Sequence, residues 1–180
     1  PYSPKLNGQE PWRPISVFRT YESHVMHVRP WMPKAVGEVT YVGFGMADLS
    51  CYVPFYQGLK AVPKNYGMGT DKADSQSAYW KYRKLQTLVM TDYQKLAPVV
   101  KTAYRDFEAK TAEAQKTMEA KYMKTVKTNP KAADKLLNDF NIKVLKDAEA
   151  LTENLTNELF TIRTTDIQKD IFFANRKKKD

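Results

Sequence analysis

The chain has 180 residues, 42% hydrophobic and 12% aromatic, enough apolar surface for one packed domain, or a domain with an appendage, and too much for a disordered tail. Lys and Arg number 29 against 20 Asp and Glu, a formal net charge of +9, but over residues 106–131 the lysines alternate with acids and alanines. That is the pattern of a solvated helix face, not of a basic, aromatic-lined nucleic-acid surface. The single cysteine, Cys51, excludes an internal disulfide and a cysteine-built metal site, and no apolar run approaches the roughly 18–20 residues needed to span a bilayer.

Turn-forming residues divide the chain. All 7 glycines lie at or before Gly69, and of the 10 prolines only Pro98 and Pro130 lie beyond Pro63. This predicts a β-rich segment with an ordered aromatic loop over residues 1–70, a helical region over 71–175 and a basic tail over 176–180. In chain order, Ile15-Ser-Val-Phe-Arg-Thr20 reads as a strand, and Ser23-His-Val-Met-His-Val-Arg29 as a second. The short Tyr21-Glu22 link predicts a hairpin between them. Val39-Thr-Tyr-Val-Gly-Phe-Gly45 reads as a third strand, rich in β-branched and aromatic residues. Three strands make a small sheet whose edges call for strands from elsewhere. Residues 46–69 read as a long aromatic loop with one short helical turn.

Helix begins near Asp74 or Ser75, either of which suits a cap. Apolar residues then recur at Tyr82, Leu85, Val89, Leu96, Val100, Ala103 and Phe107, near a 3.6 period, with a kink or break expected at Pro98. Asn129-Pro130 reads as an N-cap followed by a first-turn proline. A second stripe follows at Leu137, Phe140, Val144, Ala148, Leu151, Leu155, Leu159 and Ile162. Two long amphipathic helices with a short link predict an antiparallel pair, its stripe serving as core or as an oligomer interface.

Chemistry is sparse. His24 and His27, three apart in a strand, fall on opposite faces, so no metal site is expected of them. Cys51 is a nucleophile only if a base stands beside it; in its Tyr-Val-Pro-Phe-Tyr setting the plainer reading is a buried thiol. Arg19, at a strand end beside Glu22 and His24, suits clamping a carboxylate or steadying an oxyanion; the plainer reading is an ion pair with Glu22. Tyr52, Phe55 and Tyr56, with Tyr66, suit either a pocket wall or a core.

The ordered blocks Arg13-Pro-Ile-Ser-Val-Phe-Arg-Thr-Tyr-Glu-Ser-His-Val-Met-His-Val-Arg29, Val42-Gly-Phe-Gly45, Tyr52-Val-Pro-Phe-Tyr56 and Ser77-Ala-Tyr-Trp-Lys-Tyr-Arg83 resemble bacterial dipeptidases of the dipeptidase A type, over residues 12–104. The resemblance implies an α+β fold: part of the αββα sandwich of N-terminal-nucleophile hydrolases, with few antiparallel strands here, followed by long antiparallel helices. It implies cleavage of dipeptides by a cysteine that begins the mature chain and uses its own α-amine as general base. Pro1 is not that residue, and Cys51 falls in a block away from the catalytic end. The chain is therefore expected to be a C-terminal portion, inactive alone, with no nucleophile of its own. Arg19, Glu22 and His24 are carried as site-supporting residues, and Tyr52, Phe55 and Tyr56 as pocket residues. No cofactor or metal is implied. The partners expected are the remainder of the dipeptidase, a dipeptide and further copies of the chain, in the cytoplasm, with no nucleic acid and no membrane. The alternatives are a non-catalytic helical interaction module and, last, a basic nucleic-acid or membrane-surface binder.

Overall fold

The computed structural model describes residues 15–176. It is α+β: a three-stranded antiparallel sheet in the order β1-β2-β3 laid against long helices. β1 is Glu22–Val28, α1 a single turn at Lys34–Gly37, β2 Glu38–Phe44 and β3 Val53–Tyr56. Short 3₁₀ turns occupy Ala47–Leu49 and Lys64–Gly67. α2 (Ala78–Val89), α3 (Tyr93–Thr125) and α4 (Pro130–Arg176) follow.

The second and third expected strands form, and they pair with each other: Glu22 stands opposite Phe44, and Val28 opposite Glu38. The expected first strand and its hairpin do not form. Residues 15–20 close a turn through Thr20 N–H to Val17 C=O at 2.9 Å, and the Asp48 N–H donates to Ser16 Oγ at 2.9 Å. Tyr21 C=O already accepts from Gly45 N–H at 2.7 Å, which aligns the chain with β2 and leaves nothing for a hairpin at Tyr21-Glu22. Gly45 has φ of 79°, a left-handed value, and a Cβ there would lie 2.1 Å from Gln86 Oε1. That amide is buried and fully used: Oε1 accepts from Met46 N–H at 2.9 Å, and Nε2 donates to Phe44 C=O at 2.8 Å. It pins α2 to the end of β2.

The expected loop over residues 46–69 contains β3. Pro54 hides it from a sequence reading, because proline is excluded from central strands. Here it sits on an edge strand. The Asn141 amide of α4 covers that edge as a strand would, with Nδ2 donating to Pro54 C=O at 2.7 Å and Oδ1 accepting from Tyr56 N–H at 3.5 Å.

α2 starts at Ala78, later than Asp74 or Ser75. Asp74 Oδ1 instead accepts from the N–H groups of Gln76 and Ser77, at 2.7 and 2.6 Å, in a turn ahead of the helix. The break expected at Pro98 comes earlier, between Val89 and Tyr93, where Asp92 caps α3 by accepting from Lys95 N–H. Pro98 then lies early within α3, at the cost of one helical hydrogen bond. Asn129 caps α4 as expected, Oδ1 accepting from Ala132 N–H at 3.1 Å. The two long helices are antiparallel: Lys95 pairs with Asp166 at one end, while Met118 and Tyr122 pack with Ala133 and Leu137 at the other.

Of the α4 stripe, Leu137, Val144, Ala148, Leu155 and Leu159 are buried. The larger core joins Met46, Leu49, Cys51 and Val53 to Tyr82, Leu85, Val100 and Tyr104 and to Leu145, Ala148 and Leu155. A smaller one joins Val36, Val39 and Tyr56 to Met118, Tyr122 and Leu137. Beside it lies an ion pair: Arg29 donates to both oxygens of Glu119 at 2.7 Å, and the two side chains are only 13% and 11% exposed. Tyr56 Oη donates to the same carboxylate at 2.6 Å.

Leu145→Ala should lower stability by about 2–5 kcal/mol in denaturant titration, as a fully buried leucine does when truncated. Glu119→Ala should cost about 3–5 kcal/mol, because Arg29 is left buried and unpaired. Burial pushes the Glu119 carboxyl up, but the Arg29 and Tyr56 donors outweigh it and hold it below its ordinary 4.5. A folded value below the unfolded one adds stability that is full above pH 4.5 and lost as pH falls through the lower, folded value. Glu119→Gln should therefore flatten the stability–pH curve in that acid window, measured by urea unfolding at a series of pH values.

Candidate functional site

The residues carrying candidate chemistry fall into separate places. Glu22 and His24 are two apart on β1 and so share its outer face, where His24 Nδ1 and Glu22 Oε1 lie 2.8 Å apart in the open. His27 stands opposite Val39 on the other face. Among the described residues, no group of three or more His, Cys, Asp and Glu side chains converges to hold a metal ion.

Tyr52, Phe55 and Tyr56 follow the alternation of β3 and the residue before it. Tyr52 Oη lies 2.8 Å from Ser23 Oγ, and its N–H donates to Glu108 Oε1 at 2.7 Å. Phe55 meets the edge of Tyr66 at a centroid distance of 6.0 Å. Tyr56 turns to the interior and spends its hydroxyl on Glu119. Cys51 is wholly buried in the larger core. Burial first, and the Glu108 carboxylate second, push its thiol far above the ordinary range, so it is held as a neutral thiol. Burial also pushes the Glu108 carboxyl up, while the Tyr52 N–H pulls the other way.

Arg19 lies apart from these, on a cavity of about 370 Å³. The cavity is assembled from three segments: Arg19 and Tyr21 before β1, Thr70 and Asp71 ahead of α2, and Tyr79, Trp80 and Arg83 on the first turns of α2. Its walls are tied together. Trp80 Nε1 donates to Thr70 C=O at 3.0 Å, Tyr21 stacks on Tyr79 at 5.8 Å, and Tyr79 meets the edge of Trp80 at 5.3 Å. Arg83 donates to the Phe18 carbonyl and lies 4.1 Å above the Phe18 ring. Among the described residues neither Arg19 nor Asp71 has an ion-pair or hydrogen-bond partner for its charge, and Arg19 does not pair with Glu22.

Sequence reasoning picked out Arg19 but passed over Asp71, Tyr79, Trp80 and Arg83. The available signal was Tyr79 and Arg83 at a helical spacing of four on one face, beside Trp80. A larger open groove of about 700 Å³ runs between α3 and α4 over Phe107, Phe140 and Leu151, with the Lys143–Asp147 ion pair on its wall. It brings together no group of reactive side chains.

Comparison with known proteins agrees with this sequence. The model of peptidase family C69 matches residues 1–106. A probable dipeptidase of Salmonella dublin is 56% identical over 66 residues, 37% of this chain and 14% of that protein. A probable dipeptidase of Latilactobacillus sakei is 33% identical over 92 residues, 49% of this chain and 20% of that protein. The dipeptidase A of Lactobacillus helveticus is 26% identical over 69 residues, 38% of this chain and 14% of that protein. The chain thus spans a fifth or less of the length of these relatives. With the family model covering more than half of its residues, the chain belongs to peptidase family C69.

Proposed function

We propose that this chain is part of a dipeptidase that hydrolyses small peptides by acyl transfer through a cysteine thiolate lying outside these 180 residues. The observation that carries the reading is the burial of Cys51: the one thiol in a chain of a peptidase family is sealed in the core, where burial also pushes its pKa up. A nucleophile must reach its substrate and be a thiolate, and Cys51 meets neither requirement. In this reading the attacking cysteine begins the mature enzyme, its α-amine takes the proton, and water releases the acyl group. Arg19, Glu22 and His24 support the site, and Tyr52, Phe55 and Tyr56 hold the framework behind it. The cytoplasm suits a protein with one free thiol.

The sheet supports an additional polypeptide partner. Tyr21 and Arg29 bond across to β2, at Gly45 and Gly37, so by antiparallel alternation the N–H and C=O groups of Glu22, His24, Met26 and Val28 face away from β2, on a side that no other strand among the described residues covers. Val25, Met26 and Val28 are 59%, 70% and 62% exposed. A bare edge carrying apolar side chains is a template for another strand. In this reading the rest of the dipeptidase supplies it.

A second reading, self-association through α4, has one observation in its favour. The stripe expected to provide it is in the core, but Phe160, Ile167 and Ile171 further along remain exposed at near-helical spacing. It predicts a dimer in light scattering that dissociates in Ile167→Lys; a concentration-independent monomer mass ends it.

The dipeptidase reading predicts turnover of dipeptides by the full-length polypeptide, none by the 180-residue chain, and retained turnover in full-length Cys51→Ala. The thiol should resist a thiol reagent until denaturant unfolds the chain. Turnover by the chain alone that disappears in Cys51→Ala would overturn the reading.

A further inference from the structure

The cavity before α2 brings together two charged side chains to which the proposed chemistry assigns no ligand. Arg19 presents a guanidinium with no protein partner among the described residues, and Asp71 presents a carboxylate in the same condition, on one cavity of about 370 Å³. Arg83 is already engaged by the Phe18 carbonyl and ring, so it contributes positive potential but is not a free donor fork. Tyr21, Tyr79 and Trp80 give the same cavity an aromatic surface, and the Trp80–Thr70 bond anchors the residue next to Asp71. A volume near the lower end of ligand pockets, about 300–1,000 Å³, suits a small molecule.

We infer that this cavity binds a short peptide as a zwitterion, Arg19 receiving the terminal carboxylate, Asp71 the terminal ammonium, and the aromatic rings a side chain. A guanidinium fork matches a carboxylate in two parallel hydrogen bonds. A carboxylate on the same cavity selects an ammonium and repels phosphates and other dianions. Because both termini must be free and near each other, such a site distinguishes a dipeptide from a long chain. The inference rests on the dipeptidase reading for its choice of ligand, but it concerns this cavity alone.

The test is direct binding, by calorimetry, of alanylphenylalanine to the 180-residue chain and to the full-length polypeptide. Comparison ligands are the same peptide acetylated at its N-terminus, the same peptide amidated at its C-terminus, and inorganic phosphate. The free dipeptide should bind about tenfold or more tightly than either blocked form, the discrimination expected for losing one charge-assisted contact, and phosphate should not compete. Arg19→Gln should erase the preference for acid over amide and leave the amine preference. Asp71→Asn should do the reverse. Both side chains are exposed, so far-UV circular dichroism should be unchanged, and the ligand comparison needs no variant. Equal binding of free and blocked peptides, competition by phosphate, or variants that leave both preferences intact would overturn the inference. Dipeptide turnover by the full-length protein without this discrimination would sink the cavity's role and spare the dipeptidase reading. Discrimination by the cavity without any turnover would do the opposite.

Discussion

The carboxylate of Glu119 is the point at which sheet and helices become one structure. It receives the guanidinium of Arg29 from the end of β1 and the hydroxyl of Tyr56 from β3, while Arg29 also donates to Val36 C=O at 2.5 Å. A small sheet with one bare edge is weak by itself. Here its two outer strands are held on α3 by one charge, and the charge is tolerated in a half-dry setting because several donors surround it. Breaking that cluster costs more than its own hydrogen bonds, since the remaining partners are left buried without compensation. The adjoining Gln115 extends it, donating to Tyr41 Oη at 2.9 Å.

The two edges of the sheet are treated differently. Asn141 closes the β3 edge from α4 by offering an amide's donor and acceptor where a neighbouring strand would offer them. The β1 edge has no such cover among the described residues, and its exposed valines and methionine would be a liability in a free protein. The same asymmetry appears in chemistry. The interior holds the chain's one thiol, as a packing group, whereas Arg19 and Asp71, with no partner for their charges among the described residues, stand on a surface cavity.

Much of the helical half was legible because its signals are local. Asn129-Pro130 announces the start of α4, and the 3.6-residue stripe from Leu137 to Leu159 identifies the buried face. Pro98 misled because the break falls at the Asp92 cap instead, and α3 carries the proline inside it at the cost of one helical hydrogen bond. In the front half, residues 15–20 have strand-like composition but close a turn, and Pro54 disguises a real strand. Of the site, Arg19 was visible as a charge at the end of a segment. Asp71 and Trp80 were not, because their meeting depends on how the loop before α2 lies against the chain entering β1.

The sequence alone determined the Asn129 start of α4, its buried face, the presence of a β-rich front and a resemblance to dipeptidases. Each of these depends on residues close together in the chain, or on blocks in a fixed order. Tertiary structure decided which strands pair, which edge is covered, that Cys51 is sealed in the core, and that Arg19 and Asp71 share a cavity. Those outcomes come from hydrogen bonds and burial between residues far apart in the chain, and periodicity and spacing carry no information about which distant partner prevails.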